Sequence, residues 1–117
     1  MHLVKSDKKN SLVKLPLVHR YNIKNGVHAS GGIYIGRCRD WYRGCDLKVA
    51  VSVKYDGEEK EVYSIPIYEG EFFPFEFDIS IDDMDYENVI ICWKWYCDGV
   101  EQINDSYPIY LMNYEIK

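Results

Sequence analysis

Long apolar segments are missing from this sequence. No stretch is long and apolar enough to cross a bilayer as a helix, which takes about 20 such residues. Residues 1–10 are polar and hold no apolar segment of signal-peptide length. These absences predict a soluble cytoplasmic protein without membrane contact, in which residues 1–10 form a flexible arm and residues 11–117 form one domain.

Catalytic signatures are missing as well. The sequence has no GxSxG elbow, no P-loop and no HExxH motif. His19 and His28 would neighbour each other across a turn, but a surface pair without a metal is the commoner arrangement. The acidic segment from Asp82 to Asp85 matches no EF-hand loop. Carboxylates are so abundant that their proximity indicates no acid–base pair. We therefore predict a protein that is not an enzyme and has no cofactor and no metal site.

Positive charge is scarce in the second half of the chain. Residues 1–54 carry eleven of the 14 Lys and Arg residues, whereas residues 55–117 carry sixteen of the 19 Asp and Glu residues. A fold that packs the two halves together would match these charges across its surface. The net charge of −5 argues against a nucleic-acid-binding protein, whose signature is a basic face. It is compatible with a nucleic-acid mimic or with a basic protein partner.

The four cysteines do not form an evident disulfide framework. Cys92 and Cys97 are five residues apart on one predicted strand, so they point to opposite faces and should not pair. Cys38 and Cys45 flank a loop, where a disulfide is feasible. Zinc sites usually have closer cysteine spacing. We predict reduced thiols.

Alternation with a period of two residues dominates the remaining pattern, and no segment shows sustained helical periodicity. Apolar residues alternate with polar ones over Leu47–Tyr55, Phe73–Ile81 and Val89–Cys97, which is typical of half-buried strands. Asp56-Gly57 and Asp98-Gly99 are favoured hairpin turns. The pattern predicts an all-β antiparallel two-sheet sandwich, similar to immunoglobulin or carbohydrate-binding domains, with a barrel as the alternative. The predicted core holds Val51, Phe75, Phe77, Ile91 and Trp93.

Aromatic residues exceed what such a core needs. The chain has eleven Tyr and three Trp in 117 residues, so some rings should lie at the surface, where an apolar face with a polar tip suits recognition. Trp41 lies in a loop with three arginines between Arg37 and Arg43, a composition that suits contact with an anion, a nucleic acid, a sugar or a protein hot spot. Alternatively, Trp41 caps one end of the sandwich.

From Gly32 onward, the order of motifs resembles the starch- and glycogen-binding carbohydrate-binding module of family 21. That family shows a V-x-V strand ending in an aromatic residue and Asp, an F-x-F-x-I strand, an apolar aromatic strand with a turn, and a late asparagine-rich segment followed by N-Y. The matching segments are Val49–Val51 with Tyr55-Asp56, Phe75–Ile79, Ile91–Gly99, Asn104–Ser106 and Asn113-Tyr114. The chain departs from the family at Ser52, where the family has Arg, and at Ile103, where it has a contact Trp.

The resemblance implies a non-catalytic module that binds an α-glucan, the polysaccharide of starch and glycogen. Ring platforms would come from Trp41, Tyr96, Tyr107 and Tyr114, and orienting hydrogen bonds from Asn104, Asp105 and Asn113. The alternative function is a small acidic protein-interaction domain, such as an inhibitor, immunity or anti-defence factor. Such a domain would use the Trp41 loop and the acidic second half.

Overall fold

Nine strands make up the regular structure of the described part of the chain. The computed structural model describes residues 11–36, 44–68, 70–81, 88–103 and 107–117. In these ranges no helix is long and apolar enough to cross a membrane. The strands are β1 (Leu12–Lys14), β2 (Leu17–Tyr21), β3 (Val27–Ile35), β4 (Leu47–Tyr55), β5 (Glu58–Ile67), β6 (Phe72–Ile79), β7 (Val89–Cys97), β8 (Val100–Gln102) and β9 (Ile109–Ile116).

Two hairpins form where the sequence predicts them. Asp56 (φ 50°) and Gly57 (φ 76°) join β4 to β5, and Asp98 (φ 51°) and Gly99 (φ 82°) join β7 to β8. Positive φ at both central residues matches the right-handed twist of the flanking strands. Asp and Gly tolerate this conformation better than other residues do. The local sequence therefore sets both turns.

The strands form two antiparallel sheets. The first sheet has the order β1-β9-β3-β6, and the second has the order β2-β7-β4-β5, with β8 also paired to β7. Consecutive strands β1 and β2 lie in different sheets, and the chain crosses between them at the cis peptide bond Leu15-Pro16. The two sheets pack face to face, so the predicted antiparallel sandwich is confirmed.

Aromatic rings from both sheets meet in the core. Val51, Ile91 and Trp93 are fully buried, and the ring centroid of Phe75 in the first sheet lies 4.9 Å from that of Trp93 in the second. Phe77 departs from the prediction because it is only half-buried. It lies on the edge strand β6 and stacks on Tyr63 of the edge strand β5, with centroids 4.3 Å apart. Phe77 thus closes the open side of the sandwich.

A β-bulge reverses the orientation of the side chains near the end of β9. Ser30 pairs with Glu115 and Gly32 with Met112, so Asn113 and Tyr114 together oppose the single residue Gly31. Asn113 adopts φ 53° and Gly31 φ 145°, and a Cβ atom at Gly31 would lie 2.9 Å from the carbonyl oxygen of Met112. The extra residue turns Tyr114 towards the core, because each added residue in a strand inverts the alternation that follows.

Candidate ligand-binding face

Two of the predicted ring platforms belong to the core. Tyr107 is 1% exposed and stacks on Trp95 with centroids 5.4 Å apart, and Tyr114 is 4% exposed and lies edge-on to Trp93. A buried ring has no open face on which a ligand can stack. The expectation that these two tyrosines are exposed is therefore corrected. For Tyr114 the cause is the bulge, which inverts the simple alternation of β9.

The structure does not bring the other described candidates together. Tyr96 lies half-buried on the outer face of the second sheet. Asn113 belongs to the first sheet, where its Oδ1 accepts a hydrogen bond from the backbone N–H of Ser11 at 3.1 Å and its own N–H donates to the Ser11 carbonyl at 2.8 Å. Asn113 therefore holds the start of β1 in place. Trp41, Asn104 and Asp105 lie outside the described residues.

An exposed row of aromatic rings crosses the outer face of the first sheet. Lys14, Tyr110, Tyr34 and Phe72 are direct partners on β1, β9, β3 and β6. Tyr34 is 39% exposed and Phe72 is 48% exposed. The row extends across three strand spacings, about 14 Å in total. Alternation places these side chains outward, because their strand neighbours, such as Ile33 and Ile109, are buried.

The rings of this row are supported from below and from the side. The ring of Phe72 lies over Gly32, where a Cβ atom would overlap it. The centroids of Tyr34 and Tyr110 are 6.4 Å apart, with the ring planes 33° from parallel. The Lys14 ammonium lies 5.9 Å from the Tyr110 centroid, within cation–π range. The rings therefore present apolar surface to solvent with hydroxyl and ammonium groups beside it.

Aliphatic side chains lie beside the aromatic row. Two residues away on each of the same four strands is a second row of direct partners, formed by Leu12, Met112, Gly32 and Pro74. Leu12 is 48% exposed. We call the outward side chains of both rows the aromatic face; its members are Leu12, Lys14, Tyr34, Phe72, Pro74, Tyr110 and Met112. A contiguous apolar surface of this kind marks a binding site more often than isolated exposed residues do.

The outer face of the second sheet is ionic instead. Lys94 Nζ lies 2.6 Å from Glu59 Oε2 and 3.6 Å from Glu101 Oε1, and Lys54 Nζ lies 3.9 Å from Glu59 Oε1. Hydrogen bonding to Lys94 lowers the pKa of Glu59, and the same bond raises the pKa of Lys94. Lys48 lies 4.8 Å from the Tyr96 ring centroid. We call this set the ionic face: Lys48, Lys54, Glu59, Lys94, Tyr96 and Glu101.

The ionic face also covers a thiol. Cys92 is 1% exposed although it points away from the core, and burial raises the pKa of its thiol. Its pair partner on β4 is Ser52, which is 4% exposed. Lys94 marks the outer face of β7, because Trp93 and Trp95 on the other face are fully buried. Cys92 and Ser52 thus point outward but lie beneath long charged side chains, whose apolar stems cover them.

An exposed histidine with two carboxylates lies at the far end of the first sheet. His28 Nδ1 lies 2.7 Å from Asp78 Oδ1, and Nε2 lies 3.0 Å from Glu76 Oε2. Hydrogen bonding to Asp78, and then to Glu76, raises the pKa of His28. Each ring nitrogen thus lies against a carboxylate, and the cluster is an ionic contact when His28 is protonated.

His19, the other described histidine, has a lowered pKa, whereas the pKa of His28 is raised. The Tyr114 hydroxyl donates to His19 Nε2 at 2.9 Å, and His19 Nδ1 donates to the Arg20 carbonyl at 3.3 Å. Burial lowers the pKa of His19, and burial raises the pKa of Tyr114 to about 12. Both groups are therefore neutral near pH 7. Their hydrogen bond joins the edge strand β2 to β9 across the two sheets.

The described cysteines are reduced, as the sequence predicts. Cys45, Cys92 and Cys97 carry free thiols, and Cys38 lies outside the described residues. Burial and a hydrogen bond with Cys45 raise the pKa of Cys97 to about 11. Cys92 and Cys97 point to opposite faces of β7, since one lies on the outer face and the other on the core side.

The sequence contains a local signal for the aromatic face in two tyrosines that lie between aliphatic residues. Tyr34 lies between Ile33 and Ile35, and Tyr110 lies between Ile109 and Leu111. A Tyr between two β-branched or aliphatic strand residues points away from the core whenever they point inward. Alternation alone could therefore have identified outward rings. It could not have shown that they align, because alignment depends on the register of β9 with β3.

Comparison with known proteins adds no relative. A scan against protein-family models, a search of curated proteins and a search of solved structures find no match to this chain. The resemblance to the carbohydrate-binding module of family 21 therefore stays a prediction from the sequence motifs.

Proposed function

We propose that this chain is a non-catalytic carbohydrate-binding module whose ligand stacks on the aromatic face. The observation that supports the proposal most is the cross-strand row of Tyr110, Tyr34 and Phe72, with exposed ring surface on neighbouring strands. A pyranose ring has an apolar C–H face that packs against an aromatic plane. Its hydroxyls would meet the tyrosine hydroxyls and the Lys14 ammonium, which are strong hydrogen-bonding groups.

The class of polysaccharide follows from the sequence resemblance, which implies an α-glucan. The geometry contributes the mode of binding, namely stacking on a preformed platform. Because Phe72 already lies over Gly32, binding would order few additional side chains, which reduces its entropic cost. The ligand would therefore contact the outer face of the first sheet, and not the set of tyrosines and asparagines predicted from the motifs.

Gel retardation tests this proposal. Wild-type protein should migrate more slowly in a native gel that contains glycogen or amylopectin. The retardation should change little between low and high salt, because screening acts on charges and not on apolar stacking. Phe72→Ala and Tyr34→Ala should each weaken binding by at least about tenfold, equivalent to about 1.4 kcal/mol.

Tyr96→Ala provides the matched control, because Tyr96 is a half-buried tyrosine on the opposite outer face. It should be retarded as strongly as the wild type. Identical migration of wild-type protein with and without the polysaccharide would refute α-glucan binding. Loss of retardation in Tyr96→Ala alone would place the site on the second sheet.

The second candidate function is a protein-interaction domain that uses the same face. It is favoured by the aliphatic row, since Leu12, Met112 and Pro74 offer apolar contact but no ring plane for a sugar. Phe, Tyr and Met are enriched in the buried centre of protein interfaces. Under this function, Leu12→Ser and Met112→Ser should abolish capture of a protein partner, while glucan-containing gels should not retard the wild type.

A further inference from the structure

The strand pairing brings two thiols and a carboxylate together at one end of the second sheet. Cys45 lies two residues before β4, Cys97 ends β7, and Asp98 begins the turn to β8. The Sγ atoms of Cys45 and Cys97 and a carboxylate oxygen of Asp98 all lie within 4.8 Å of one another. Cys45 is distant in sequence from the adjacent residues Cys97 and Asp98, so only the folded chain creates this cluster.

Backbone hydrogen bonds hold the cluster in place. The N–H of Asp98 donates to the Asp46 carbonyl at 2.8 Å, and the N–H of Asp46 donates to Asp98 Oδ1 at 2.9 Å. Leu47 is the direct partner of Cys97, which makes Cys45 its diagonal neighbour. Diagonal neighbours on one face of a sheet are close enough for their side chains to meet. The ladder of β4 and β7 thus determines where both sulfur atoms lie.

From this geometry we propose that Cys45, Cys97 and Asp98 bind a zinc ion. Thiolate sulfur and carboxylate oxygen are both zinc ligands, and a tetrahedral site with bond lengths of about 2.0–2.3 Å has its ligand atoms roughly 3.3–3.8 Å apart, so the three groups need to approach one another by at most about 1.5 Å. Cys97 is 8% exposed, Cys45 is half-buried and Asp98 is exposed, so the site has an enclosed side and an open side. Three protein ligands leave the fourth position for water.

This site is independent of the proposed function and differs from the sequence prediction that the chain has no metal site. The wide cysteine spacing that argued against zinc is irrelevant, because the ligands come from the segment before β4 and from the end of β7 with its turn, and not from one knuckle. Two thiolates and a carboxylate would more than neutralise the charge of a divalent ion. The ion would fix the segment that leads into β4 to the β7–β8 turn.

Titration of the full chain with Co²⁺ and Zn²⁺ under a reducing phosphine tests the proposal. One equivalent of Co²⁺ should produce sulfur-to-cobalt charge-transfer absorption, and one equivalent of Zn²⁺ should displace it. Cys45→Ser and Cys97→Ser should each lower the affinity at least about tenfold. Asp98→Asn should lower it less, because Asn keeps the oxygen that accepts from Asp46. Cys92→Ala should bind like the wild type, since Cys92 lies elsewhere on β7.

Thiol alkylation of the wild type provides a test that needs no variant. One equivalent of Zn²⁺ should slow the reaction of Cys45 with iodoacetamide, measured by peptide mass spectrometry, and leave Cys92 unaffected. The proposal is overturned if Co²⁺ gives no thiolate absorption. It is equally overturned if binding persists in both Cys45→Ser and Cys97→Ser.

Discussion

The two outer faces of the sandwich are built from the same strand geometry but have opposite chemistry. On the first sheet, outward positions carry Tyr34 and Phe72, which are exposed, and the half-buried Tyr110 in the same row. On the second sheet, outward positions carry Lys94 and Glu59, which bond to each other. The ionic face satisfies its own charges, whereas the aromatic face leaves apolar area exposed to water. The first face is therefore the one that we propose binds a ligand.

The largest expected effect is on stability, and it tests the geometry of the bulge opposite Gly31. Gly31→Ala should lower the free energy of unfolding by about 1–3 kcal/mol, because φ 145° strains a residue with a Cβ atom and the Met112 carbonyl is too close. Gly32→Ala should cost much less, since the only atoms in the way belong to the far end of the Phe72 side chain and not to the backbone. Urea denaturation of both variants measures this, and equal midpoints would contradict the bulge geometry.

The next effect concerns glucan binding, which should depend on the support that Gly32 gives to the Phe72 ring. Gly32→Ala should displace the Phe72 ring from its support and weaken glucan binding several-fold, although it removes no aromatic group. Affinity electrophoresis over a range of glycogen concentrations measures the change. Phe72→Leu is the companion variant, since it keeps the apolar volume but removes the ring. Unchanged affinity in both variants would show that Phe72 is not part of the binding surface.

A smaller effect distinguishes the ionic face. Lys94→Met should lower stability by about 1 kcal/mol or less, because the Lys94–Glu59 pair is only partly buried and surface ion pairs contribute little. High salt should reduce the difference from wild type.

The stabilising contribution of the Lys94–Glu59 pair should be complete above the unfolded pKa of glutamate, about 4.3, and below that of lysine, about 10.4. It should disappear as the pH falls through the lowered pKa of Glu59 or rises through the raised pKa of Lys94.

Lys94→Met should leave glucan retardation unchanged, because the variant alters the opposite face. Denaturant unfolding at low and high salt, combined with retardation gels, separates the two roles. A variant that is fully stable in low salt but no longer binds glucan would reverse the assignment of the faces.

The smallest effects are the pH dependences of the two histidines, which have opposite signs. The pKa of His19 is lowered by burial, so the unfolded state takes up a proton first and stability falls as the pH drops below about 6.5. The pKa of His28 is raised by Asp78 and Glu76, so its contribution is complete below about 6.5 and disappears as the pH rises through the folded pKa.

Urea midpoints measured between pH 5 and pH 8 for His19→Gln and His28→Gln test these signs. The first variant should flatten the loss of stability on acidification, and the second should flatten the loss at higher pH. Slopes of the same sign for both variants would contradict the environments described for the two rings.

Local sequence predicted the parts of this fold that local forces determine. The Asp56-Gly57 and Asp98-Gly99 turns and the buried side of β7 follow from positive φ and from alternation, both of which act within a few residues. Phe77 was expected in the core, but its depth depends on which strands are sheet edges, and alternation does not contain that information.

The candidate site was predicted less well because it depends on contacts between distant segments. The bulge opposite Gly31 forms only when β3 pairs with β9, and it turns Tyr114 inward against its local pattern. The alignment of Tyr34 with Phe72 depends on the register of two strands that are separated by β4 and β5 in sequence. The convergence of Cys45 and Cys97 has the same origin. Register of this kind is set by long-range packing, and no motif within one strand encodes it.

Chemical-shift mapping tests the central claim most directly. Backbone amide resonances of ¹⁵N-labelled protein would be followed during titration with a soluble linear α-glucan oligomer. The account predicts perturbations that cluster on the first sheet, at Gly32, Tyr34, Phe72 and Tyr110, with no change at Lys48 and Tyr96. Perturbations confined to the second sheet, or none at saturating oligomer, would contradict the assignment of the aromatic face as the glucan-binding surface.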